Sequence, residues 1–378
     1  MTISRRELLA QLGAGAAVRV AIPELGRFRW WDPSEHSASS GDRGPILLDR
    51  NESAYGPSQK VIEAIRGGAE ISHRYPRSVE ELEEKLAQIH GVKREQVLLT
   101  CGSGEVLRMA AAAFLGPGKK LIQAVPTFEA LGRHARKVGA EVVDVPLTNA
   151  MSHDLAAILR NADETTGLVY ICNPNNPTGS LTPRNDIDDF LRKLPGSAHV
   201  LVDEAYHHYV GGSASYSSFL DHPAGDSRVI VARTFSKIYG MAGLRVGYAV
   251  APPDIARRLA EERLPVSVNI LGVLAAGVAL DDQQHVRSIF ERNRNERQEF
   301  QNQMHARMLR GVDSHANFIL LNAERPVNEV LEFFAKKNIL LGRRIPSMDR
   351  HVRVSLGTKE EMVEFWRVWD QFEPHHKM

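Results

Sequence analysis

The chain has 378 residues, 43% hydrophobic and 25% charged, with 47 Lys and Arg against 46 Asp and Glu for a net charge of +1. This is the composition of a folded globular protein with room for two or three domains, which excludes a disordered chain, a collagen-like repeat and a polytopic membrane protein. The near-zero charge offers no field for nucleic acid or an anionic membrane, and two cysteines, Cys101 and Cys172, make neither a disulfide scaffold nor a cysteine-only zinc site.

The chain opens with Ser4-Arg5-Arg6-Glu7-Leu8-Leu9 and a small, apolar run to Ile22. This leader is similar to a twin-arginine export signal. Arg19 interrupts the run and no clean Ala-x-Ala site follows, so a short amphipathic helix is the other reading. The expected location is cytoplasmic, or periplasmic if the leader functions. Phe28 to Gly44 is rich in Ser, Pro, Asp and Gly and reads as a linker. Residues 1–44 are therefore set apart from the fold.

Beyond them, helical and strand patterns alternate. A helix starts at Val61–Ile65, and Val79 to Ile89 is another, with apolar residues at helical spacing. Short apolar strands follow at 96–100, 120–125, 141–145, 167–172, 199–203 and 228–232. Strands apolar on both faces and separated by helices predict an α/β fold with a mostly parallel sheet covered by helices. Ligands bind such sheets at the carboxyl ends of the strands. A long helical stretch carrying Arg292, Arg294 and Arg297 leads to alternating pieces at 318–321 and 352–356, which read as a smaller α+β module. The expected division is 45–70 as a segment packing with the small domain, 71–275 as the large domain and 276–378 as the small one.

Polar clusters fall at the predicted strand ends. Lys237 follows a buried strand in Thr234-Phe235-Ser236-Lys237. A free lysine, with a pKa near about 10.4, is a poor nucleophile at neutral pH. Burial or a nearby cation lowers that value and permits Schiff-base chemistry. Arg245, in Gly243-Leu244-Arg245, suits a phosphate dianion. Taken singly, both read better as solvated charges. Asp203 and Tyr206 lie in Asp203-Glu204-Ala205-Tyr206. The acid could hold a cationic ring nitrogen, or simply cap a helix. Asn173-Pro174-Asn175-Asn176-Pro177-Thr178-Gly179 is either a turn-rich loop or a rigid arm aiming Asn176 into a site. Thr100-Cys101-Gly102-Ser103-Gly104-Glu105 runs from strand into helix, where backbone N–H groups bind phosphate. It lacks the spacing of a mononucleotide or dinucleotide loop.

The four elements stand in one order, and over residues 45 to 370 the chain resembles the fold-type I enzymes dependent on pyridoxal 5′-phosphate, specifically the class I/II aminotransferases. The resemblance implies that Lys237 bonds the cofactor covalently and then moves the proton. It implies that Asp203 pairs with the pyridine nitrogen, and that Asn176 and Tyr206 bond the ring hydroxyl. Ser103, Gly104, Thr234, Ser236 and Arg245 would cradle the phosphate, and Phe128 would stack on the ring. Tyr75 would reach a partner subunit's phosphate, making the active unit a homodimer. Within the class the chain is most similar to the histidinol-phosphate aminotransferases, through Asn51-Glu52-Ser53-Ala54-Tyr55-Gly56-Pro57 and Val352-Arg353-Val354-Ser355-Leu356-Gly357. That places Tyr55, Arg343 and Arg353 at the substrate, with Arg353 as carboxylate clamp and Arg343 at a distal phosphate.

The loop between Arg343 and Arg353 is short, and this chain departs from the group's pattern in three further places. Gly104 stands where the group carries an Asp, Arg343-Arg344-Ile345-Pro346 replaces Arg-Pro or Arg-Asp, and Pro265-Val266-Ser267-Val268-Asn269 lacks an aromatic and an Asn. The expected substrates are an amino acid and an oxo acid or phosphorylated ketone. The alternatives on the same scaffold are a decarboxylase resembling threonine-phosphate decarboxylase, a lyase or an amino-acid oxidase. A non-catalytic regulator is disfavoured by Lys237 and by the neutral charge. Metal chemistry is disfavoured because His207 and His208 are adjacent and do not share a helix face.

Overall fold

The computed structural model describes residues 44–77, 79–221 and 226–372, so the leader and the linker before Gly44 lie outside the described residues. From Pro45 onward the chain forms one compact unit. Among the described residues no helix is long and apolar enough to cross a membrane.

The main sheet has seven strands, β2 Val97–Thr100, β3 Lys120–Val125, β4 Glu141–Pro146, β5 Thr166–Cys172, β6 His199–Asp203, β7 Val229–Thr234 and β8 Gly247–Val250, in the order β2-β8-β7-β6-β5-β3-β4. β1 is the short strand Ile46–Leu48 that precedes them. Strands β3 to β7 pair in parallel, and β8 runs antiparallel to both β2 and β7. The sequence pattern anticipates every strand of this sheet except β8, whose four residues follow directly on the Arg245 turn. Every residue of β2, β5, β7 and β8 is buried, which is why β2, β5 and the start of β7 read as apolar runs without polar alternation.

Two cores cover the sheet. On one face the helices Ser103–Phe114, Ala130–Lys137 and Pro253–Glu261 set Val106, Leu107, Leu131, Ile255 and Leu259 against Leu121, Leu168 and Leu201. On the other, Val79–His90, Leu155–Asn161, Arg184–Lys193 and Ile270–Asp281 set Leu86, Ile158, Ile187, Phe190 and Val273 against Ile122, Val169 and Val200. Burying apolar surface on both faces is the main favourable term for such a layered sheet. The helix expected to begin near Val61 spans Gln59–Gly68, and the Ser58 hydroxyl accepts from Val61 N at its start.

A third core lies beyond the 24-residue helix Gln283–Ala306. Here β10 Phe318–Asn322 pairs antiparallel with β9 Arg310–Gly311 and with β12 His351–Ser355. β11 Ile339–Leu341 pairs in parallel with β1. Phe300, Phe334, Phe365 and Trp366 fill the space between these strands and the helices Val327–Lys336 and Lys359–Trp369. The pairing of β1 with β11 carries residues 49–57 from this core to the strand ends of the main sheet.

Register fixes what meets at that edge. Gly247 is paired with both Thr100 and Thr234, and Asp203 is paired with Cys172 and Ala232. The ends of β2, β5, β6 and β7 therefore face one opening.

Candidate active site

A cavity of about 910 Å³ lies over those strand ends. Asp203, at the end of β6, forms part of its floor and is 3% exposed. Its Oδ2 accepts from the Tyr170 hydroxyl at 2.9 Å and its Oδ1 from Ala205 N at 3.1 Å. Burial raises the carboxyl to about 6, against the opposing pull of those two donors. It caps no helix, since a short turn of helix begins only at His207 and follows Tyr206.

Lys237 enters from the turn after β7. Its Nζ donates to Asn51 O at 2.9 Å and Arg50 O at 3.2 Å, and stands 5.5 Å from the centre of the Tyr206 ring. Burial pushes the amine down to about 8, helped by the positive charges of Arg353 and Arg245 and opposed by Glu52 and Asp203. A neutral amine is the nucleophilic form, so this shift enlarges the reactive fraction near neutral pH. Asn51 adopts the left-handed backbone, φ 55°. Its amide donates to the Tyr206 hydroxyl at 3.0 Å and its Oδ1 accepts from Ser355 Oγ at 3.1 Å.

An anion cup lies on the other side of Lys237. The helix at Ser103 begins after Gly102, whose φ is 71°. A Cβ on Gly102 would lie 2.5 Å from Arg245 Nη2, so only glycine lets the guanidinium lie against this turn. Arg245 Nη1 reaches Ser236 Oγ at 3.3 Å and Ala242 O at 2.8 Å. Thr234 Oγ1 donates to Ser236 Oγ at 3.0 Å and accepts from Ser236 N at 3.1 Å. Glu105 holds the turn below by accepting from Cys101 N at 2.6 Å and Ser267 Oγ at 2.7 Å. No atom stands within 4 Å of where a Cβ on Gly104 would lie.

The Asn173–Gly179 loop is rigid. Asn173 exchanges bonds with the Thr182 backbone at 3.0 Å each way, and Asn175 Nδ2 donates to Pro126 O at 3.1 Å and Thr178 Oγ1 at 2.9 Å. A Cβ on Gly179 would lie 2.2 Å from Ser314 Oγ. The loop presents Asn176, whose Nδ2 reaches the Tyr206 hydroxyl at 3.3 Å while its Oδ1 accepts from Arg353 Nη1 at 2.7 Å. Arg353 Nη2 donates to Asp49 O at 2.7 Å, and its Nε is buried without a partner. Burial lowers the pKa of this guanidinium. Burial also raises the Tyr206 phenol well above its usual value, so it stays protonated.

The mouth is exposed and charged. Arg343 follows β11 and forms an ion pair with Glu129, and Arg344 Nε donates to Asp349 Oδ1 at 3.1 Å. Phe128 lines the wall between Pro126 and Glu129.

The cavity thus gathers Ser103, Gly104, Phe128, Asn176, Asp203, Tyr206, Thr234, Ser236, Lys237, Arg245, Arg343 and Arg353. Two expected residues stand apart. Tyr75 is 79% exposed and lines no part of this cavity. Tyr55 lies beneath the Arg292 guanidinium, 4.8 Å from its ring centre, and borders a separate small cavity with Tyr209 and Asn293. His207 and His208 pack against Tyr216 and Tyr239 and do not line the main cavity. The sequence reading overlooked Tyr170, Asn51 as the ligand of Tyr206, Glu129, and the carbonyls of Arg50 and Asn51. Asn51 alone carried a signal, its place in the Asn-Glu segment.

These groups suit pyridoxal 5′-phosphate. A lysine with a depressed pKa can bond its aldehyde, a cup built on glycine, two hydroxyls and an arginine can receive its phosphate, and a buried carboxyl can receive its ring cation. The comparisons agree. The profile of aminotransferase class I and II matches residues 43–367. The histidinol-phosphate aminotransferase of Moorella thermoacetica is 37% identical over 86% of this chain and 85% of its own length. That of Symbiobacterium thermophilum is 37% identical over 85% and 88%. A structure from Erwinia carotovora atroseptica, provisionally named for the same activity, superposes with a TM-score of 0.84 at 30% identity, over 87% of this chain and 96% of that one. The Sinorhizobium meliloti histidinol-phosphate aminotransferase, solved with pyridoxal 5′-phosphate, shares the fold at a TM-score of 0.81 and 24% identity, over 92% and 99%. By sequence and fold alike, the chain belongs to the class I and II aminotransferases.

Proposed function

We propose that this pyridoxal-phosphate-dependent aminotransferase moves an amino group from an amino acid donor to an oxo acid or a phosphorylated ketone, with histidinol phosphate and its ketone as the second substrate pair. The bound cofactor supplies an electron sink that acidifies the substrate Cα–H. Everything else is assigned to this chain's residues. Lys237 holds the cofactor and, once freed by substrate, is the base that takes the Cα proton and returns it. The carbonyls of Arg50 and Asn51 give its ammonium a resting place beside the site. Asp203 keeps the ring nitrogen protonated, and Tyr170 keeps Asp203 oriented. Tyr206, positioned by Asn51 and Asn176, donates to the ring oxygen. Ser103, Gly104, Thr234, Ser236 and Arg245 hold the phosphate, and Phe128 covers the ring.

Arg353, which lines the cavity and is aligned by Asn176 and Asp49, clamps the substrate carboxylate or its equivalent. Arg343 faces the far end of the substrate. The names of the curated relatives support the phosphorylated substrate, as do two arginines, Arg343 and Arg353, lining one cavity. The observation that carries the reading is Lys237, its amine at about 8, in one cavity with the buried carboxyl of Asp203 and the Arg245 cup. We further propose a homodimer in which Tyr75 reaches the partner's phosphate. The exposure of Tyr75 at 79% supports it, since an exposed large aromatic side chain is available to a partner subunit.

The test is spectroscopic. Purified protein shows the visible absorbance of the covalently held cofactor, and Lys237→Ala loses that form. L-Glutamate or L-histidinol phosphate bleaches the wild-type band and releases the matching oxo product. Release of carbon dioxide, ammonia alone or peroxide in place of that product refutes the transaminase assignment.

A further inference from the structure

The mouth contains a carboxylate that the cofactor chemistry does not use. Glu129 stands at the entrance to the helix Ala130–Lys137, next to Phe128, and lines the cavity. Its Oε2 pairs across the mouth with Arg343 and, on its own helix, with Arg133 Nη1 at 3.4 Å. The Glu129 charge also acts on Arg353, in the opposite sense to that of Arg343. The Arg343 side chain is 64% exposed and that of Glu129 38%.

From this geometry we infer that Glu129 is a specificity-determining residue, a built-in competitor for the distal anion of the substrate. With a donor that lacks a distal anion, the Arg343 charge stays compensated by Glu129 and no unpaired cation faces the substrate. With a phosphate at the far end, the dianion takes the guanidinium from Glu129, which keeps Arg133 as its partner. The pair is weak enough for this exchange. Exposed ion pairs stabilise little, whereas a phosphate brings two charges and a geometry matched to the arginine fork. A transaminase passes two different substrates through one cavity, so an arginine whose partner can be displaced serves both. The inference rests on the transaminase reading for its substrates, but the ion-pair exchange can also be measured without turnover.

The experiment uses two amine donors that differ only in the distal anion, L-histidinol phosphate and L-histidinol. Holoenzyme is compared with Glu129→Gln, Arg343→Gln and the double variant. Glu129→Gln should raise the kcat/KM ratio of the phosphate donor over L-histidinol roughly twofold to fivefold, the range of an exposed pair. Arg343→Gln should lower that ratio, and the double variant should match Arg343→Gln alone. Equal shifts for both donors, or a Glu129 effect that survives in the double variant, overturn the inference. Calorimetric titration of the same holoenzymes with inorganic phosphate gives the comparison without catalysis, and should show tighter binding for Glu129→Gln and weaker binding for Arg343→Gln. Phosphate affinities that do not differ overturn the inference even if no donor reacts, whereas absence of turnover with every donor sinks the transaminase reading alone.

Discussion

The two ends of the cavity are built on opposite principles. At the floor, Asp203, Tyr206 and Asn176 are buried and each is held by neighbours from other parts of the chain: Tyr170, Asn51 and Arg353. At the mouth, Arg343, Arg344 and Glu129 are open to water and held only by ion pairs. A charge at the floor meets a low dielectric, so its neighbours set its protonation state and its position. A charge at the mouth is screened, and its partner can be exchanged. The floor is prepared for one chemistry and the mouth for a choice of substrates.

The largest effects that this contrast predicts come from the buried side. Glu204 follows Asp203 and is buried against Arg233, with Nη2 to Oε2 at 2.8 Å, and it also accepts from Ser218 Oγ at 2.7 Å and Phe219 N at 2.9 Å. Glu204→Ala strands a buried guanidinium and should cost about 3–5 kcal/mol of stability, read by urea unfolding. A loss below about 1 kcal/mol would mean that the floor is no stiffer than the mouth. Next comes Arg353→Lys, which keeps the charge and removes the fork that bridges Asn176 and Asp49. Hydrogen bonds to charged groups contribute about 1.5–3 kcal/mol, so KM for the amino acid donor should rise on the order of tenfold to a hundredfold. An unchanged KM would move the carboxylate clamp elsewhere and erase the distinction between Arg353 and Arg343.

The same contrast decides what could be read in the sequence. Lys237, Asp203, Asn176 and Arg245 were legible because each sits at a strand end within a short ordered motif, and the alternation of strand and helix fixes where strand ends go. Glu129 with Arg343 was not legible, because the partners are 214 residues apart and exposed charges carry no pattern. Tyr170 looked like any residue of an apolar strand. Only the β5–β6 pairing, which sets Cys172 beside Asp203, brings its hydroxyl to the carboxylate. The short β8 was hidden because four residues directly after the Arg245 turn have too little period to detect. Tyr55 is the opposite case. Its motif pointed into the site, yet the left-handed turn at Asn51 sends Asn51 inward and leaves Tyr55 under Arg292.

The smallest effect has the clearest sign. In the protein stripped of cofactor, the Asp203 carboxyl is raised from 3.8 to about 6 by burial, so the folded state holds a proton there that the unfolded chain releases. Between about pH 4 and pH 6 the folded state binds more protons, and stability falls as pH rises. Above about pH 6 the full cost of the buried charge is present, on the order of 1–3 kcal/mol at 1.36 kcal/mol per pKa unit. Asp203→Asn removes that charge and keeps an oxygen for Ala205 N, while the Tyr170 hydroxyl can rotate to accept from the new amide. The variant should therefore outlast the parent in urea at pH 7.5, match it at pH 4, and lose most of its transaminase activity with cofactor restored. Equal stability at pH 7.5 would mean that the carboxylate is already compensated by the chain itself, and that the floor needs no cationic ring to complete it.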